Sequence, residues 1–390
     1  MKLITSIYTS LTTPILTKLQ GKKKEIKLKM ASIVAASDSF KPFEFDATLK
    51  VIADSSSLKS VPSKFNFSNE RTAFTSDSLP TVDFSALIAG DPHQRSKAVD
   101  DLAAACREWG FFILVNHGVP ESLMEAMFIA VKEFFRLPDS EKKQFEAKSA
   151  SDPIKCGNFN VANTSNQSFT LWRDYLKLYV HPNFHCPHQP QLLRDAVLEY
   201  TQITRKLATT LIEAVCEALE LNQRYVDEIL KMDSSFQMFA TNYYPRCPQP
   251  DQAIGIPAHT DPGLFTFLIH NGVDGLQIEH DGKWFNADSP QNSILVNAAD
   301  QLEIFTNGRC KSVKHRAVVN EERERISIVV ANGPSGEAVV GPAAALVEKD
   351  GGAKYNAMKY EEYVESQLTK SRVDGKSLLE QQMIFINNSN

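Results

Sequence analysis

A run of closely spaced turn dipeptides in the second half of the chain constrains its fold most strongly. Four such dipeptides lie within 38 residues: Asn271-Gly272, Asp274-Gly275, Asp281-Gly282 and Asn307-Gly308. Asn-Gly and Asp-Gly favour the positive φ angles that two-residue hairpins need. Short β-rich runs lie around them, at 264–269, 276–279, 283–285 and 293–296. Short strands at this spacing predict an antiparallel sandwich or jelly roll rather than a parallel sheet.

The first half of the chain has a different pattern, which is mostly helical. Apolar residues at helical spacing predict one helix ending near Gly110, one opening at Pro120 and a long one over about 191–220. Leu79–Phe84 predicts a short edge strand, and the apolar run Phe111–Val115 predicts a buried one. We therefore expect a helical region followed by a β-rich region.

Composition and charge exclude several classes of protein. The 390 residues are 43% apolar and 23% charged, which excludes a wholly disordered chain. The net charge of −5 offers no strongly basic field for nucleic acid, and no apolar run is long enough to predict a membrane span. The six cysteines include no Cys-x-x-Cys pair, so no zinc ribbon is predicted. Their scatter is typical of a reducing compartment.

The amino terminus differs in charge from the rest of the chain. Residues 1–30 contain seven lysines and one glutamate, and the first 20 residues contain seven Ser or Thr. Such a composition is typical of a transit peptide, but a leader preceding an alternative start at Met30 explains it equally well. We expect residues 1–78 to form a basic leader and a loosely ordered lead-in. The predicted location is the cytoplasm, or a plastid if the leader acts as a transit peptide.

One His-x-Asp pair suggests a metal site. His259 and Asp261 are two residues apart, so on an extended backbone their side chains point to the same face. His315 is the candidate third ligand. Two histidines and one carboxylate leave coordination positions open, an arrangement that suits non-haem Fe(II). Taken alone, a His-x-Asp pair is more often structural.

Two further motifs could bind a small carboxylate. Arg325 and Ser327 are also two residues apart and share a face, and Arg presents a planar fork that holds a carboxylate bidentately. Apolar neighbours predict a buried strand here, where an unpaired Arg would be costly. In Asn242-Tyr243-Tyr244-Pro245 the tyrosine hydroxyls could contact the same carboxylate or carbonyl, although a strand end with its tyrosines packed in the core explains this segment as well.

Other histidines do not form metal-ligand patterns. We interpret His270 and His280, beside turn dipeptides, as surface residues. His181, His185 and His188 lie in a Pro-rich loop without the fixed spacing of a strand or helix, and they predict no second metal site.

Aromatic residues could line a substrate pocket, because apolar walls dominate small-molecule sites. The candidates, each a core residue by default, are Phe159, Phe169, Phe236, Phe239 and Phe265. Trp172-Arg173-Asp174 is interpreted as a packed Trp beside an ion pair.

Taken together, the motifs resemble those of the plant Fe(II)/2-oxoglutarate-dependent dioxygenases. The motifs that carry this resemblance are Asn242-Tyr243-Tyr244-Pro245-Arg246-Cys247-Pro248-Gln249-Pro250, His259-x-Asp261, His315 and Arg325-x-Ser327. The spacing of these motifs also agrees with that of the family: 56 residues separate His259 from His315, and ten separate His315 from Arg325. Three segments resemble the amino-terminal region of that family: Leu79–Phe84, Trp109-Gly110-Phe111-Phe112 and Asn116-His117-Gly118. The resemblance covers about residues 79–370.

The resemblance implies a fold and a division of the chain. The fold is expected to be α+β, a double-stranded β-helix (jelly roll) flanked by an amino-terminal helical region and a carboxy-terminal helix. The helical region would span 79–234, the β-helix 235–337 and a carboxy-terminal extension 338–390.

The resemblance also implies cofactors and site residues. His259, Asp261 and His315 would bind Fe(II). Arg325 and Ser327 would bind the distal carboxylate of 2-oxoglutarate, supported by Tyr244 and Asn242. The chain would use O₂, with ascorbate keeping the iron ferrous, and would release succinate and CO₂. It would hydroxylate, desaturate or demethylate a small specialised metabolite or hormone-like molecule, acting as a monomer.

Several alternatives remain open at this point. One is a β-helix binding protein without catalysis. The presence of all five motif residues argues against it, because a protein without catalysis would not need His259, Asp261, His315, Arg325 and Ser327 together. A second alternative is a zinc hydrolase. Such an enzyme requires a base that activates water, and the chain has no His-Glu-x-x-His motif to supply it. A third is an oxidase of the same family that uses ascorbate instead of 2-oxoglutarate. Several flavonoid-acting members of the family place an aromatic residue six positions after the Arg, where this chain has Ala331.

Overall fold

The computed structural model describes residues 49–54, 58–67, 79–149, 151–158, 160–162, 168–369 and 378–384. The chain divides into two compact units, residues 1–45 with 147–152, and residues 46–146 with 153–390. In the first, the Asp152 carboxylate accepts hydrogen bonds from the backbone N–H groups of Lys148 and Ser149. The predicted basic leader lies outside the described residues. Every element below belongs to the second unit.

The helices of the second unit begin and end close to the predicted signals. Asp91 caps the helix ending at Glu108 and, with Gln94, forms a capping box. The long helix spans Gln191–Ala218, which confirms the prediction for 191–220. The helices are α1 Leu49–Ala53, α2 Phe84–Ala89, α3 Pro92–Glu108, α4 Glu121–Arg136, α5 Asp139–Lys142, α6 Gln191–Ala218, α7 Gln223–Leu230, α8 Asp300–Phe305, α9 Ala344–Asp350, α10 Tyr360–Thr369 and α11 Leu378–Gln382. None of these described helices is both long and apolar enough to cross a membrane.

The strands extend through both halves of the chain. They are β1 Thr81–Asp83, β2 Phe111–Val115, β3 Ile154–Gly157, β4 Asn160–Ala162, β5 Ser168–Thr170, β6 Asp174–His181, β7 Phe236–Tyr244, β8 Ile256–His259, β9 Phe265–His270, β10 Leu276–His280, β11 Lys283–Asn286, β12 Ile294–Ala298, β13 His315–Ala317, β14 Arg325–Gly333, β15 Val339–Val340 and β16 Met358–Lys359. Apart from the two main sheets described next, β4 pairs with β5 and β15 pairs with β16 in two small separate sheets.

Two sheets form the β-rich core. The larger has eight strands in the order β1-β2-β12-β9-β14-β7-β6-β3, and the smaller has four in the order β11-β10-β13-β8. All pairs are antiparallel except β1 with β2 at the edge. The Phe111 ring on β2 lies edge-on to His315 on β13, with the ring centroids 5.5 Å apart. The two sheets therefore face each other, which confirms the predicted jelly roll.

The larger sheet has two differently occupied faces. The outward-pointing side chains of its central strands, among them Ile326, Ile328 and Val330, are fully buried in one apolar cluster with α3, α4 and α6. The alternate side chains face the smaller sheet, because successive residues of a strand point to opposite sides. We call these two surfaces the outer face and the inner face.

The turn dipeptides act differently from the simple hairpin expectation. Only Asp281-Gly282 joins two directly paired strands, with φ angles of 48° and 73° between β10 and β11. Asn271-Gly272 and Asp274-Gly275 lie in the connection from β9 to β10, which are in different sheets. Asn307-Gly308 follows α8. The hairpin prediction was wrong at these three turns, because a jelly-roll chain crosses between sheets where a meander would turn back.

The division at residue 234 stays a prediction. Strands from both predicted regions share the larger sheet, since β1, β2, β3 and β6 precede this residue and pair in the same sheet as β7, β9, β12 and β14. The described part of the carboxy-terminal extension, 338–369 and 378–384, contains the helices α9, α10 and α11.

Candidate active site

Three potential metal ligands converge on the smaller sheet. His259 ends β8, His315 begins β13, and these two residues are directly paired across the strands. Asp261 follows in the loop after β8, and its Oδ1 lies 3.8 Å from Nε2 of each histidine. Among the described residues, these three form the one cluster of ligand atoms that could hold a metal ion, all within 4.8 Å of one another.

The backbone fixes which histidine nitrogen faces the cluster. Nδ1 of His259 lies 2.9 Å from the carbonyl oxygen of Pro257, and Nδ1 of His315 lies 3.2 Å from that of Val313. A carbonyl only accepts, so each Nδ1 donates its proton there and each Nε2 keeps a free lone pair. Such an outer hydrogen bond is the usual support of a metal-binding histidine.

Asp261 is oriented in the same way. The side-chain amide of Asn297, on β12, donates a hydrogen bond to its Oδ2 at 3.0 Å, which leaves Oδ1 directed at the two histidines. The backbone N–H of Asp300 donates to the Asp261 carbonyl at 2.9 Å. The larger sheet and the loop before α8 therefore hold the carboxylate in place.

Electrostatics favour the metal-binding protonation states. Burial and the neighbouring His315 lower the pKa of His259, so this ring is neutral near pH 7. Burial alone would raise the pKa of Asp261, but the two histidines and Asn297 outweigh it and the net shift is downward. A neutral His259 and an ionised Asp261 are the forms that ligate a divalent cation. The donor set therefore fits Fe(II).

Arg325 lies at the start of β14 on the inner face and is only 2% exposed. Its Nε donates to the carbonyl of Val273 at 3.1 Å, and its guanidinium carbon lies 5.2 Å from the centre of the Tyr244 ring. Burial lowers the pKa of Arg325, and Tyr244 opposes that shift. Glycines make room for this pair, since a Cβ at Gly255 would come within 2.6 Å of the Tyr244 ring.

The other predicted carboxylate-binding residues share this location. Register pairs Arg325 with Tyr244 and Ser327 with Asn242, which places all four on the inner face. The Asn242 amide lies 3.3 Å from the Ser327 hydroxyl. The structure thus brings together every residue of the predicted metal and co-substrate motifs.

Arg173 was not predicted as part of this group. Asp174, its neighbour on β6, instead accepts hydrogen bonds from the backbone N–H groups of Leu49 and Lys50, while Arg173 Nη1 donates to the Asn242 side chain at 3.0 Å. The ion-pair interpretation was wrong, because Arg173, which lies just before β6, and Asp174, its first residue, have different hydrogen-bond partners. Trp172 is fully buried, as predicted. The available sequence signal for the role of Arg173 was its position beside the oppositely charged Asp174.

The surface interpretation was wrong for His270 and holds in part for His280, whose side chain is 21% exposed. His270 is opposite Ser327 on the inner face, and its Nε2 lies 3.1 Å from the Ser289 hydroxyl. Its Nδ1 is buried and has no hydrogen-bond partner among the described residues. His280 stacks on Trp109 with ring centroids 3.9 Å apart. Both histidines at these strand ends are partly exposed, because the facing sheet or a neighbouring ring covers only part of each side chain.

The candidate pocket aromatics divide between the two faces. Phe236 is on the inner face, where register pairs it with Gly333. Phe239 and Phe265 are on the outer face in the helix-packed core and are fully buried, so they cannot line an inner pocket. Phe169 packs against Phe67 outside the larger sheet. Phe159 lies outside the described residues.

Comparisons with known proteins agree with this geometry. The model of the 2OG-Fe(II) oxygenase superfamily matches residues 235–334, and that of the non-haem dioxygenase in morphine synthesis N-terminal region matches 79–197. The chain is 44% identical over 303 residues to 2-oxoglutarate-dependent dioxygenase 19 of Oryza sativa subsp. japonica, covering 77% of this chain and 89% of that protein. It is 39% identical over 296 residues to Protein DMR6-LIKE OXYGENASE 2 of Arabidopsis thaliana, covering 74% and 83%.

A solved structure of similar fold supports the same assignment. The crystal structure of JOX2 in complex with 2OG, Fe and JA superimposes with a TM-score of 0.77 at 27% identity, covering 87% of this chain and 98% of that one. These similarities, over most of both chains, favour the 2-oxoglutarate-dependent enzyme over the binding-protein, zinc-hydrolase and ascorbate-oxidase alternatives. The chain is a 2-oxoglutarate-dependent dioxygenase that belongs to the 2OG-Fe(II) oxygenase superfamily.

Proposed function

We propose that His259, Asp261 and His315 hold the iron and that Arg325, with Ser327, Tyr244 and Asn242, binds the distal carboxylate of 2-oxoglutarate. The enzyme then hydroxylates, desaturates or demethylates a small specialised metabolite or hormone-like molecule and releases succinate and CO₂. The observation that carries this proposal is the arrangement on the two facing sheets: a ligand triad with both Nε2 atoms free, and a buried Arg325 that forms no ion pair with any of the described residues.

Bound iron with 2-oxoglutarate and O₂ supplies the oxidising chemistry. The protein contributes position and exclusion of water. Asn297 holds the outer oxygen of Asp261, the carbonyls of Pro257 and Val313 orient the two imidazoles, and the facing sheets enclose the space between them. Because the guanidinium of Arg325 is desolvated, its attraction for a carboxylate is stronger than it would be at the surface.

Small side chains on the inner face leave room for the primary substrate. Ala240 on β7 is paired with Val329 of β14, and Ala331 of β14 is paired with Met238. The absence of bulk at Ala331 supports a substrate other than one stacked on an aromatic ring at that position. The outcome, whether hydroxylation, desaturation or demethylation, depends on which substrate hydrogen lies nearest the iron.

The test is turnover by the purified protein with Fe(II), ascorbate, 2-oxoglutarate and a library of plant small molecules. Mass spectrometry separates the three outcomes as gain of one oxygen, loss of two hydrogens or loss of one methylene unit. Succinate must form in step with the oxidised product, and omission of 2-oxoglutarate must abolish it. Product formation with ascorbate alone would contradict the proposed co-substrate.

We also propose that the enzyme works as a monomer in the cytoplasm, or in a plastid if residues 1–30 act as a transit peptide. The six cysteines are all buried and none is joined in a disulfide, in keeping with a reducing compartment.

A further inference from the structure

Two residues of the carboxy-terminal helix α10 are connected to the segment 259–261, which we call the ligand loop because its first and last residues are proposed metal ligands. Tyr363 and Gln367 are four residues apart, so they lie on the same face of this helix. The side-chain amide of Gln367 donates a hydrogen bond to the carbonyl of Thr260 at 3.1 Å. Thr260 is the middle residue of the ligand loop, so this contact reaches the backbone between the two ligands.

Tyr363 is connected to the same loop through Asp300. Its hydroxyl donates to Oδ2 of Asp300 at 2.8 Å, and the Thr260 hydroxyl donates to the same oxygen at 3.2 Å. Oδ1 of Asp300 accepts a hydrogen bond from the Ser312 hydroxyl at 2.6 Å. Tyr363, Asp300 and Thr260 are no more than 5% exposed, so water competes little for these hydrogen bonds. Asp300 therefore joins α10 to the ligand loop in the protein interior.

These contacts hold the backbone on both sides of Asp261. The carbonyl of Thr260 belongs to the peptide unit before the Cα of Asp261, and Gln367 donates to it. The carbonyl of Asp261 belongs to the peptide unit after that Cα, and the N–H of Asp300 donates to it at 2.9 Å. Because each peptide unit is planar, holding both of them fixes the two backbone dihedrals of Asp261. The direction of its carboxylate is then set by the backbone as well as by Asn297.

The strand ladder does not hold this part of the chain. Thr260 and Asp261 follow the last residue of β8, so the pairing of β8 with β13 ends before them. A ligand that is already in place binds more tightly, because less conformational freedom is lost on binding. Contacts from outside the ladder should therefore affect the affinity of the ligand loop for a cation.

We propose that Gln367 and Tyr363 are positioning residues for the iron, and that the carboxy-terminal helix thereby sets the affinity of the enzyme for its metal. The inference rests on the proposed function, because it assumes that Asp261 is an iron ligand. Gln367 acts directly on the backbone of the ligand loop, and Tyr363 acts through Asp300. α10 follows β14, the last strand of the two facing sheets, along the chain. A segment beyond these sheets thus supports the metal site without supplying a ligand.

The test is calorimetric titration of the full-length, metal-free protein with Fe(II) in the absence of oxygen. Gln367→Met keeps the length of the side chain but removes the amide, and Fe(II) affinity should fall about 3- to 10-fold, the effect of one lost hydrogen bond. Tyr363→Phe should cause a loss of similar size. Because Gln367 is partly exposed, its variant should fold even if Tyr363→Phe does not. The KM for 2-oxoglutarate at saturating Fe(II) should be unchanged, since Arg325 lies on the other sheet.

Tyr355→Phe is the matched control. The Tyr355 hydroxyl donates to Oε1 of Glu303 at 2.5 Å, and Glu303 lies on α8, as Asp300 does. Within the described part of the chain, Glu303 forms no hydrogen bond with the ligand loop. This variant therefore loses a comparable hydrogen bond between a buried tyrosine and a carboxylate. The free energy of unfolding should fall as it does for Tyr363→Phe, whereas the Fe(II) affinity should stay at the wild-type value.

Two results would overturn the inference. The first is a wild-type Fe(II) affinity in Gln367→Met. The second is an equal loss of Fe(II) affinity in Tyr355→Phe, which would assign the effect to general stability. Failure of the proposed function is distinct from both, since the wild-type protein would then bind Fe(II) no more tightly than its His259→Ala variant.

Discussion

The inner and outer faces of the larger sheet are built from the same strands, yet they differ in burial and in what their side chains contact. Along β14 the outer-face residues are buried, whereas Val329 and Ala331 on the inner face are partly exposed. On the outer face, Ile326, Ile328 and Val330 pack against helices. On the inner face, two buried nitrogen atoms have no hydrogen-bond partner among the described residues, namely Nε of Arg173 and Nδ1 of His270. Buried polar atoms are usually paired. The difference teaches that the outer face serves stability, while the inner face is complete only with its ligands.

The largest effect should come from removing a metal ligand on the smaller sheet. His259→Ala or Asp261→Ala should abolish turnover and stoichiometric iron binding, because two ligands cannot hold the cation in a productive position. Metal analysis and succinate formation measure both effects. Removal of iron from the wild-type enzyme by a chelator should reproduce the loss, and added Fe(II) should reverse it only in the wild type. Full iron occupancy in either variant would contradict the assigned triad.

The outer face is tested by Ile328→Ala. This side chain is fully buried, and its truncation should lower the free energy of unfolding by about 2–5 kcal/mol through lost burial and a cavity. Turnover per folded molecule should be unchanged. Chemical denaturation and kinetics at a temperature where the variant is folded provide the measurements. Its neighbour Ser327→Ala is the matched inner-face control, for which we expect a raised KM for 2-oxoglutarate and little loss of stability.

Arg325→Ala should damage binding at the inner face. Loss of a desolvated, charge-assisted contact should raise the KM for 2-oxoglutarate by about 10- to 100-fold, equivalent to about 1.5–3 kcal/mol. Arg325→Lys keeps the charge but loses the planar fork, so its KM should lie between those of the wild type and the Ala variant. An unchanged KM for the Ala variant would refute the assigned role.

Asn297 is a positioning residue on the inner face. Asn297→Ala should weaken iron binding about 10- to 100-fold, because Asp261 would lose the hydrogen bond that holds its outer oxygen. Titration of the apoprotein with Fe(II) measures the change. Val296→Ala, the outer-face neighbour, should leave iron affinity unaltered. Equal effects from the two substitutions would show that the two faces are not separate.

The smallest effect concerns pH. Burial raises the pKa of Asp300 to about 7 from 3.8, even though Ser312, Tyr363 and Thr260 donate hydrogen bonds to it. Between these two pH values the folded protein holds a proton that the unfolded chain has lost. The contribution of Asp300 to the free energy of unfolding therefore falls as pH rises from about 4 to about 7, by up to about 1.4 kcal/mol per pH unit.

Asp300→Asn should remove this slope, as measured by denaturation of the wild type and the variant across the pH range. Asp281→Asn, an exposed carboxylate on the β10–β11 turn, is the control. A difference between wild type and Asp300→Asn that stays constant with pH would contradict the raised pKa.

Much of the site was predictable because its chemistry follows a period of two along extended strands. His259 with Asp261 and Arg325 with Ser327 share faces for that reason, and local spacing determines it. The burial of Arg325 was predictable in the same way from its apolar neighbours. The pairs of residues that support them, such as Asn297 with Asp261, are distant along the chain and follow only from the register of β12 and β9.

The sequence by itself determined the elements, the ligand motifs and the family, because helix caps, turn chemistry and strand alternation are local. Only the tertiary structure decided which face each side chain occupies and which strands become neighbours. It placed Phe239 and Phe265 on the outer face and Lys177 and His270 on the inner face. The physical reason is that strand pairing in a jelly roll is non-local. A one-residue change of register inverts every side chain of a strand, and no local pattern encodes which partner fixes that register.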